Sequence, residues 1–355
     1  MRKPLSTEQL DVLRTQFGTG TRLWSKMFSG LTALIYREEG YDAVHALWRE
    51  VLASHQDERY HEGLQKLGID QDPPAVAAAK YHYYTNLIGG LTMHYAEESP
   101  KKVWIRYTAP SWTYDGVAML AMPGDLRRTI LGTWHPRNGE MMGCPRLGWV
   151  ATKFIMEGDP YDEGYFMEYD HDLSPEERYR IESVSQSPPH DPERAPTLDE
   201  AVWPEERLIR ARRNFSSRYL RTTVEVLYRQ LGEARALEVV SKAMRLLGIQ
   251  YTHELSQTFN QNGQGSREVA AFIGQILHCF SQDFEIDEST PTQHDIILRS
   301  FHPFEADAAD NLKQAFFCFF EMLTCQINGN IRITRRQISD IEDLWEIEDT
   351  GSWLW

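Results

Sequence analysis

The sequence predicts an α+β chain of two pseudo-repeated lobes, each a helical bundle followed by a small antiparallel sheet. Helical spacing fills residues 6–91 and returns over 208–281, and strand-like alternation follows each block. Helices first and strands after, twice over, is not the alternation that builds a parallel βαβ sheet. The run from Ala75 to Trp112 also lies without a gap on Glu268–Glu305, at an offset of 193 residues. Val76-Ala77-Ala78 then falls on Val269-Ala270-Ala271, Ile105-Arg106 on Leu298-Arg299, and Pro110 on Pro303. Upstream, Tyr36-Arg37 falls on Tyr228-Arg229.

Ser6-Thr7-Glu8-Gln9 is a capping box, and Leu10, Leu13 and Phe17 follow at helical spacing, so a short helix opens the chain. An amphipathic stretch from Leu23 to Leu67 breaks at Gly40, Asp72-Pro73-Pro74 is a stop, and a third helix ends at Gly89-Gly90. Lys101–Thr108 alternates as a strand does. Gly116–Met122 fits helix or strand, and Asp125–Trp134 has helical spacing. Residues 136–146, rich in Gly, Pro, Asn and Met, read as a loop, and Leu147–Met156 and Gly164–Tyr169 read as strands. Residues 171–207 hold six of the 17 prolines among acids and serines, the composition of a linker. Beyond it come helices at 208–230, 233–258 and 266–281, strands at 282–288 and 294–300, a helix at 307–323 and a strand at 329–334. The expected domains are therefore 1–172, a first lobe with the active site; 173–207, a Pro-rich linker; 208–340, a second lobe serving as scaffold; and 341–355, an acidic, Trp-rich tail that folds back to dock its tryptophans or engages a partner.

The 355 residues, 41% of them hydrophobic, suffice for packed cores. A formal charge of −15 argues against a nucleic-acid partner, which would need clustered Lys and Arg. The basic runs Arg207–Arg213 and Arg332–Arg336 read as solvated faces. No apolar run reaches the roughly 18 residues that cross a bilayer. The four cysteines have no CxxC spacing, so reduced thiols and a cytoplasmic location are expected, with no membrane partner and a homo-oligomer left open. No P-loop, Rossmann glycine pattern or HExxH is present, which disfavours NTP hydrolysis, ordinary nicotinamide chemistry and zinc proteolysis.

The first lobe holds the unusual residues, and the plainer second lobe serves as an internal control for what the fold requires. With Asn138-Gly139 matched to Asn328-Gly329, His135 falls opposite Cys325. His135 is a general base, a metal ligand, or a histidine bonded within a turn; Arg137, Glu140 and Cys144 lie beside it. Cys144 is a nucleophile if a neighbour stabilises its thiolate, and an inert buried thiol otherwise. Arg106 suits a bidentate clamp on a substrate carboxylate. Arg299 at its matched position equally suits a structural ion pair. Trp104, Trp112, Trp134 and Tyr107 either fill a core or wall a pocket for a flat ligand. Glu168, Asp170 and His171 with His135 or His94 offer ligands for a hard metal, though no spacing specifies one.

The pieces YLRTTVEVLYRQLGEARALEVVSKAMRLLGI (219–249), DIILRSFHPF (295–304) and KQAFFCFFEMLTC (313–325) resemble the L-2-amino-thiazoline-4-carboxylic acid hydrolase-like family. The resemblance covers roughly the last 130 residues and implies a cytoplasmic enzyme that opens or cleaves a small nitrogen- or sulfur-containing carboxylate. Members carry a cysteine–proline element after the strand, where this chain has His302-Pro303. The leading expectation is thus a hydrolase or lyase of small-molecule catabolism acting on a small aromatic or heterocyclic carboxylate. His135, Cys144 and Glu140 are its candidate catalytic residues. Arg106, Trp104, Trp112, Trp134, Arg137 and Tyr107 are its candidate substrate-binding residues. It needs no cofactor, with a metal ion left open. The alternatives are a metal-dependent oxygenase or lyase, and a non-catalytic small-molecule-binding sensory module.

Overall fold

A computed structural model describes residues 5–109, 112–184 and 186–355; the side chain of Trp112 lies outside the described part. Helices α1 (Thr7–Glu39), α2 (Tyr41–Leu67) and α3 (Pro74–Gly89) lead into strands β1 (Met93–Ser99) and β2 (Lys102–Tyr107). Then come α4 (Leu126–Trp134), α5 (Arg137–Met141), β3 (Leu147–Lys153), β4 (Asp162–Glu168) and β5 (Tyr179–Ile181). The order returns as α6 (Glu205–Leu231), α7 (Glu233–Thr258), α8 (Ser266–Cys279), β6 (Phe284–Thr290), β7 (Gln293–Leu298), α9 (Asp310–Ile327), β8 (Ile331–Gln337) and β9 (Asp343–Asp349).

The two sheets have one topology. The first runs β1-β2-β4-β3-β5 and the second β6-β7-β9-β8. All pairs are antiparallel except β5, which joins β3 in parallel. The α+β class and its repeated order are therefore as the sequence predicts. The register of the repeat is not. Met93↔Tyr107 corresponds to Phe284↔Leu298, and both hairpins bulge two residues before their turn, so the strands repeat at an offset of 191 residues. Arg106 then falls on Ile297, not Arg299. The loop match slips as well. The backbone bonds Leu147 N→Cys144 O and Ile331 N→Asn328 O close the same turn, which puts Cys144 opposite Asn328.

Compact units cut across the expected domains. One consists of Met1–Leu34 with Leu227–Trp355, and the other of Ile35–Val226. The capping box is formed, with Ser6 N donating to Gln9 Oε1 and Gln9 N to Ser6 Oγ, but the helix it starts runs unbroken for 33 residues. Gly40 and Gly232, at φ 91° and 75°, precede α2 and α7 at equivalent positions, where a side chain would be strained. Aligned on these glycines, α1 corresponds to α6, and the start of each belongs to the unit built on the other copy's sheet. This is the pattern of an exchanged element. Trp24 stacks on Phe280 at 3.9 Å, and Lys26 pairs with Glu254 at 2.6 Å.

Residues 173–207 are not a free linker. Within Ile35–Val226, β5 joins the sheet edge and the chain then straps across the outer sheet face. Tyr165 on β4 donates to Glu182, Val184 packs on Trp104, Val150 and Tyr165, and His190 stacks on His94 of β1 at 4.1 Å. On the inner face α3 covers the sheet with an alanine-rich side, and Val76, Ala79 and Tyr83 pack with Ile105, Trp149 and Phe166. Each fully buried aromatic there contributes about 2 kcal/mol. The expected tail also changes. Asp343–Asp349 is an inner strand that buries Trp345 and Ile347, and the last five residues, Gly351 to Trp355, are exposed. Among the described residues no helix is long and apolar enough to cross a membrane.

Candidate ligand-binding site

Strand alternation sends the sequence-predicted residues of β2 to opposite sheet faces. Tyr107 points inward with Val103 and Ile105, whereas Trp104 and Arg106 point outward under the strap. They do not form one pocket.

Outward, Arg106 is spent inside the protein. It pairs with Glu163, which is fully buried, and donates to Ser187 Oγ at 2.9 Å and to the Pro188 carbonyl. Burial pushes the Glu163 carboxyl up, but bonds from Arg106, Ser187, Lys153 and Thr152 outweigh it and hold the group below its ordinary value. The structural ion pair is therefore the role that Arg106 has here, formed with Glu163 and owing nothing to Arg299. Trp104 Nε1 donates to Glu98 at 2.8 Å, and its ring packs on Tyr165.

Inward, His135 is sealed at 1% exposure. Its ring lies between His82 at 4.3 Å and Trp149 at 4.1 Å. Nδ1 reaches the Leu131 carbonyl at 3.1 Å and so donates; Nε2 then accepts from the Tyr107 hydroxyl at 2.8 Å. Both nitrogens are used. Burial, reinforced by His82, holds the ring well below its ordinary pKa and keeps it neutral. Cys144 is buried in the same core, and Glu140 and Arg137 are committed to ion pairs with Arg178 at 2.8 Å and Asp57 at 2.6 Å. Glu168 pairs with Arg146 and Asp170 with Lys101. Among the described residues no group of three or more His, Cys, Asp or Glu side chains is arranged to hold a metal ion.

A cavity of about 350 Å³ opens elsewhere in this unit, between α2, α3 and the first half of α6. Of the sequence-predicted site residues described here, Trp134 lines it. Helix α2 contributes His55, Arg59, Glu62 and Lys66, which share one face at spacings of four, three and four. Helix α6 contributes Arg207, Arg210 and Arg218, interleaved with Phe215 and Tyr219, and Trp203 stands just before it; Tyr81 and Ile88 come from α3. Five cationic side chains thus line the cleft with one carboxylate; Lys66 pairs with that Glu62 at 2.5 Å, and Arg210 and Arg59 pair with Glu206 at 3.0 Å and Glu58 at 3.5 Å outside the lining. The cations raise one another's cost. Burial first, then Arg59 and Arg221, push the Arg218 guanidinium down from its ordinary pKa. Burial, Arg59 and Arg218 together push His55 down to about 3. The His55 ring stacks on Tyr219 at 3.9 Å, and the Arg207 guanidinium covers the Trp203 ring at 3.9 Å.

The other copy shows that the fold does not require this chemistry. Alignment on Gly40 and Gly232 places Leu247 at His55, Tyr251 at Arg59, Leu255 at Gly63 and Thr258 at Lys66. There, Leu247 packs against Gly30, Leu255 is buried, and Lys26 neutralises Glu254. The sequence held this signal in the basic–aromatic interleaving of 203–219. It read as linker and solvated face because nothing local shows that α6 packs beside α2. The chain matches no protein-family model, and no curated protein is a significant match to it.

Proposed function

We propose that the unit Ile35–Val226 is a small-molecule-binding module whose α2–α3–α6 cleft takes a flat, apolar anion such as an aromatic carboxylate. The observation that carries this reading is the five-to-one excess of cationic over anionic side chains in an aromatic-lined cleft of about 350 Å³. Guanidinium groups suit planar oxyanions, and aromatic faces suit a flat body. Among the lining side chains, His55 is the one histidine, and a ring held near 3 is a poor base at neutral pH. Binding is therefore the function this cleft supports best.

Calorimetric titration of the full chain with naphthoate and with naphthylmethylamine tests the reading. The carboxylate binds and the ammonium does not, and Arg59→Gln or Arg218→Gln weakens naphthoate binding by about tenfold or more. Equal binding of the two probes, or unchanged affinity in both variants, would overturn it.

A further inference from the structure

An ion pair that is closed in the second copy stands open in the cleft of the first. Alignment on Gly40 and Gly232 places Lys26 at Arg218 and Glu254 at Glu62. Lys26 closes on Glu254 at 2.6 Å. In the first copy Lys66, which stands where the second has Thr258, takes Glu62 at 2.5 Å instead. Arg218 is left with no carboxylate partner among the described residues. Burial, then Arg59 and Arg221, outweigh Glu62 and Glu58 around it and hold the guanidinium below its ordinary pKa. Arg218 is nonetheless an exposed residue of the lining, so an anion reaches it. Arg207 is the other lining cation without a carboxylate partner; it donates to the Val202 carbonyl and covers the Trp203 ring. Thr15 holds its place in the second copy, so the fold does not demand a cation there.

The two unpaired cations stand at opposite ends of one helix face. Eleven residues of α6 separate them, close to three whole turns, with a rise of roughly 16 Å along the axis. Between them α6 lines the cleft with Ala211, Asn214 and Phe215, and with Arg210, which Glu206 already neutralises. Facing this stretch, Gly63 lets the Tyr81 ring lie where a Cβ would come within 2.7 Å of it. The long arginine side chains lean inward freely, so anions nearer together than the helical rise also meet both.

We propose that the ligand of this cleft is a flat dianion with its anionic groups at opposite ends, one on Arg218 and the other on Arg207, and its apolar body along Phe215 and Tyr81. The ligand class is thus narrowed from aromatic anions to elongated aromatic diacids. The inference rests on the cleft being a binding site for flat anions, and the test separates the two.

Affinities of the full chain are measured for naphthoate, for naphthalene-2,6-dicarboxylate and biphenyl-4,4′-dicarboxylate, which differ in span, and for the monomethyl ester of each diacid. At least one diacid binds about tenfold more tightly than its own monoester, which keeps the shape and loses one charge. Naphthalene-2,3-dicarboxylate has the same charge gathered at one end, and it gains less than about threefold over its monoester. In Arg207→Gln the advantage of the long diacid falls below about twofold, while naphthoate, seated on Arg218, binds within about threefold of the parent chain. The comparison of the two naphthalene diacids needs no variant, so it stands whatever the stability of Arg207→Gln. Long diacids that bind no tighter than their monoesters, an equal gain for the 2,3-isomer, or an advantage that survives Arg207→Gln overturns the inference and leaves the cleft reading intact. No binding by naphthoate or by any diacid overturns the cleft reading itself.

Discussion

The outer faces of the two sheets carry unlike residues at equivalent positions. In the first sheet Trp104 and Tyr165 stand side by side, followed by Arg106 and Glu163. The same places in the second sheet are Asp295 and Glu346, then Ile297 and Leu344. An apolar face with a buried ion pair must be covered, and Glu182, Val184, Ser187, Pro188 and His190 cover it. A charged face needs no cover, and β7 accordingly alternates between buried and half-buried residues where β2 is buried almost throughout. One feature is common to both. Asp162 and Asp343 occupy the same place, both buried, paired with Arg127 at 2.7 Å and Arg335 at 2.9 Å. What the copies share is thus an anchor of the fold, and what they do not share marks where the first copy was given additional work.

The largest expected effect comes from making the first sheet resemble the second. Glu163→Leu leaves the buried Arg106 without its carboxylate and costs about 3–5 kcal/mol, and Arg106→Ile costs less because Lys153 still pairs with Glu163 at 3.1 Å. The double variant installs the residue pair that the second sheet already uses, and it costs less than about 2 kcal/mol, because two desolvated charges disappear together. Urea unfolding of the four proteins gives the coupling directly. Additive single costs would break the comparison and show that the pair is not isolated beneath the strap.

The double lobes, the order of their elements and most helix limits were legible in the sequence because capping, proline stops and periodicity are local. The offset was misread by two residues. Matched alanines in α3 and α8 score as identities, whereas the true register is set by bulges in the hairpins, which leave no residue-type signature. The candidate site was less legible. His135 stood out because the second copy lacks it, but an uncommon polar residue in a core is also explained by a buried network, and Tyr107, Leu131 and His82 supply that network. The cleft was hidden for the opposite reason. Arg207, Arg210 and Arg218 look ordinary on an isolated helix, and only the packing of α6 beside α2 sets them facing Arg59 and Lys66.

A smaller effect separates the copies by pH. His82 is fully buried, accepts at Nε2 from the Asn138 amide nitrogen at 2.9 Å, and is pushed down to about 3 by burial. At the strand offset the second copy has Ile273 in its place. A histidine whose folded pKa is depressed binds a proton more readily when unfolded, so its contribution is intact above about pH 6.5 and is lost progressively toward pH 3. At about pH 4 the loss for one such group approaches 3 kcal/mol. Hydrogen exchange should therefore show residues 35–226 losing protection on acidification before residues 227–355. His82→Ile should remove one share of that dependence, His55 and His135 of the same unit carrying others, even if it lowers stability at neutral pH. An unchanged pH profile in this variant would show that His82 has no part in the acid sensitivity.

The smallest effect concerns the strap itself. Tyr165 holds Glu182 through its hydroxyl at 3.0 Å, whereas Glu346 at the equivalent place lies on the open, charged face. Tyr165→Phe removes one hydrogen bond and keeps the ring on Trp104, so it costs about 1 kcal/mol. That loss falls on the segment 182–190 rather than on the sheet, which keeps its ladder. Glu346→Ala changes stability by less than about 0.5 kcal/mol, as expected for a surface position with no buried partner. Limited proteolysis distinguishes these outcomes better than global unfolding does. Cleavage within 182–196 should rise in Tyr165→Phe and stay at the parent rate in Glu346→Ala. If both variants leave cleavage unchanged, the strap is held by Arg106 and the packing of Val184 alone, and the tyrosine hydroxyl is incidental to the cover that distinguishes the first sheet.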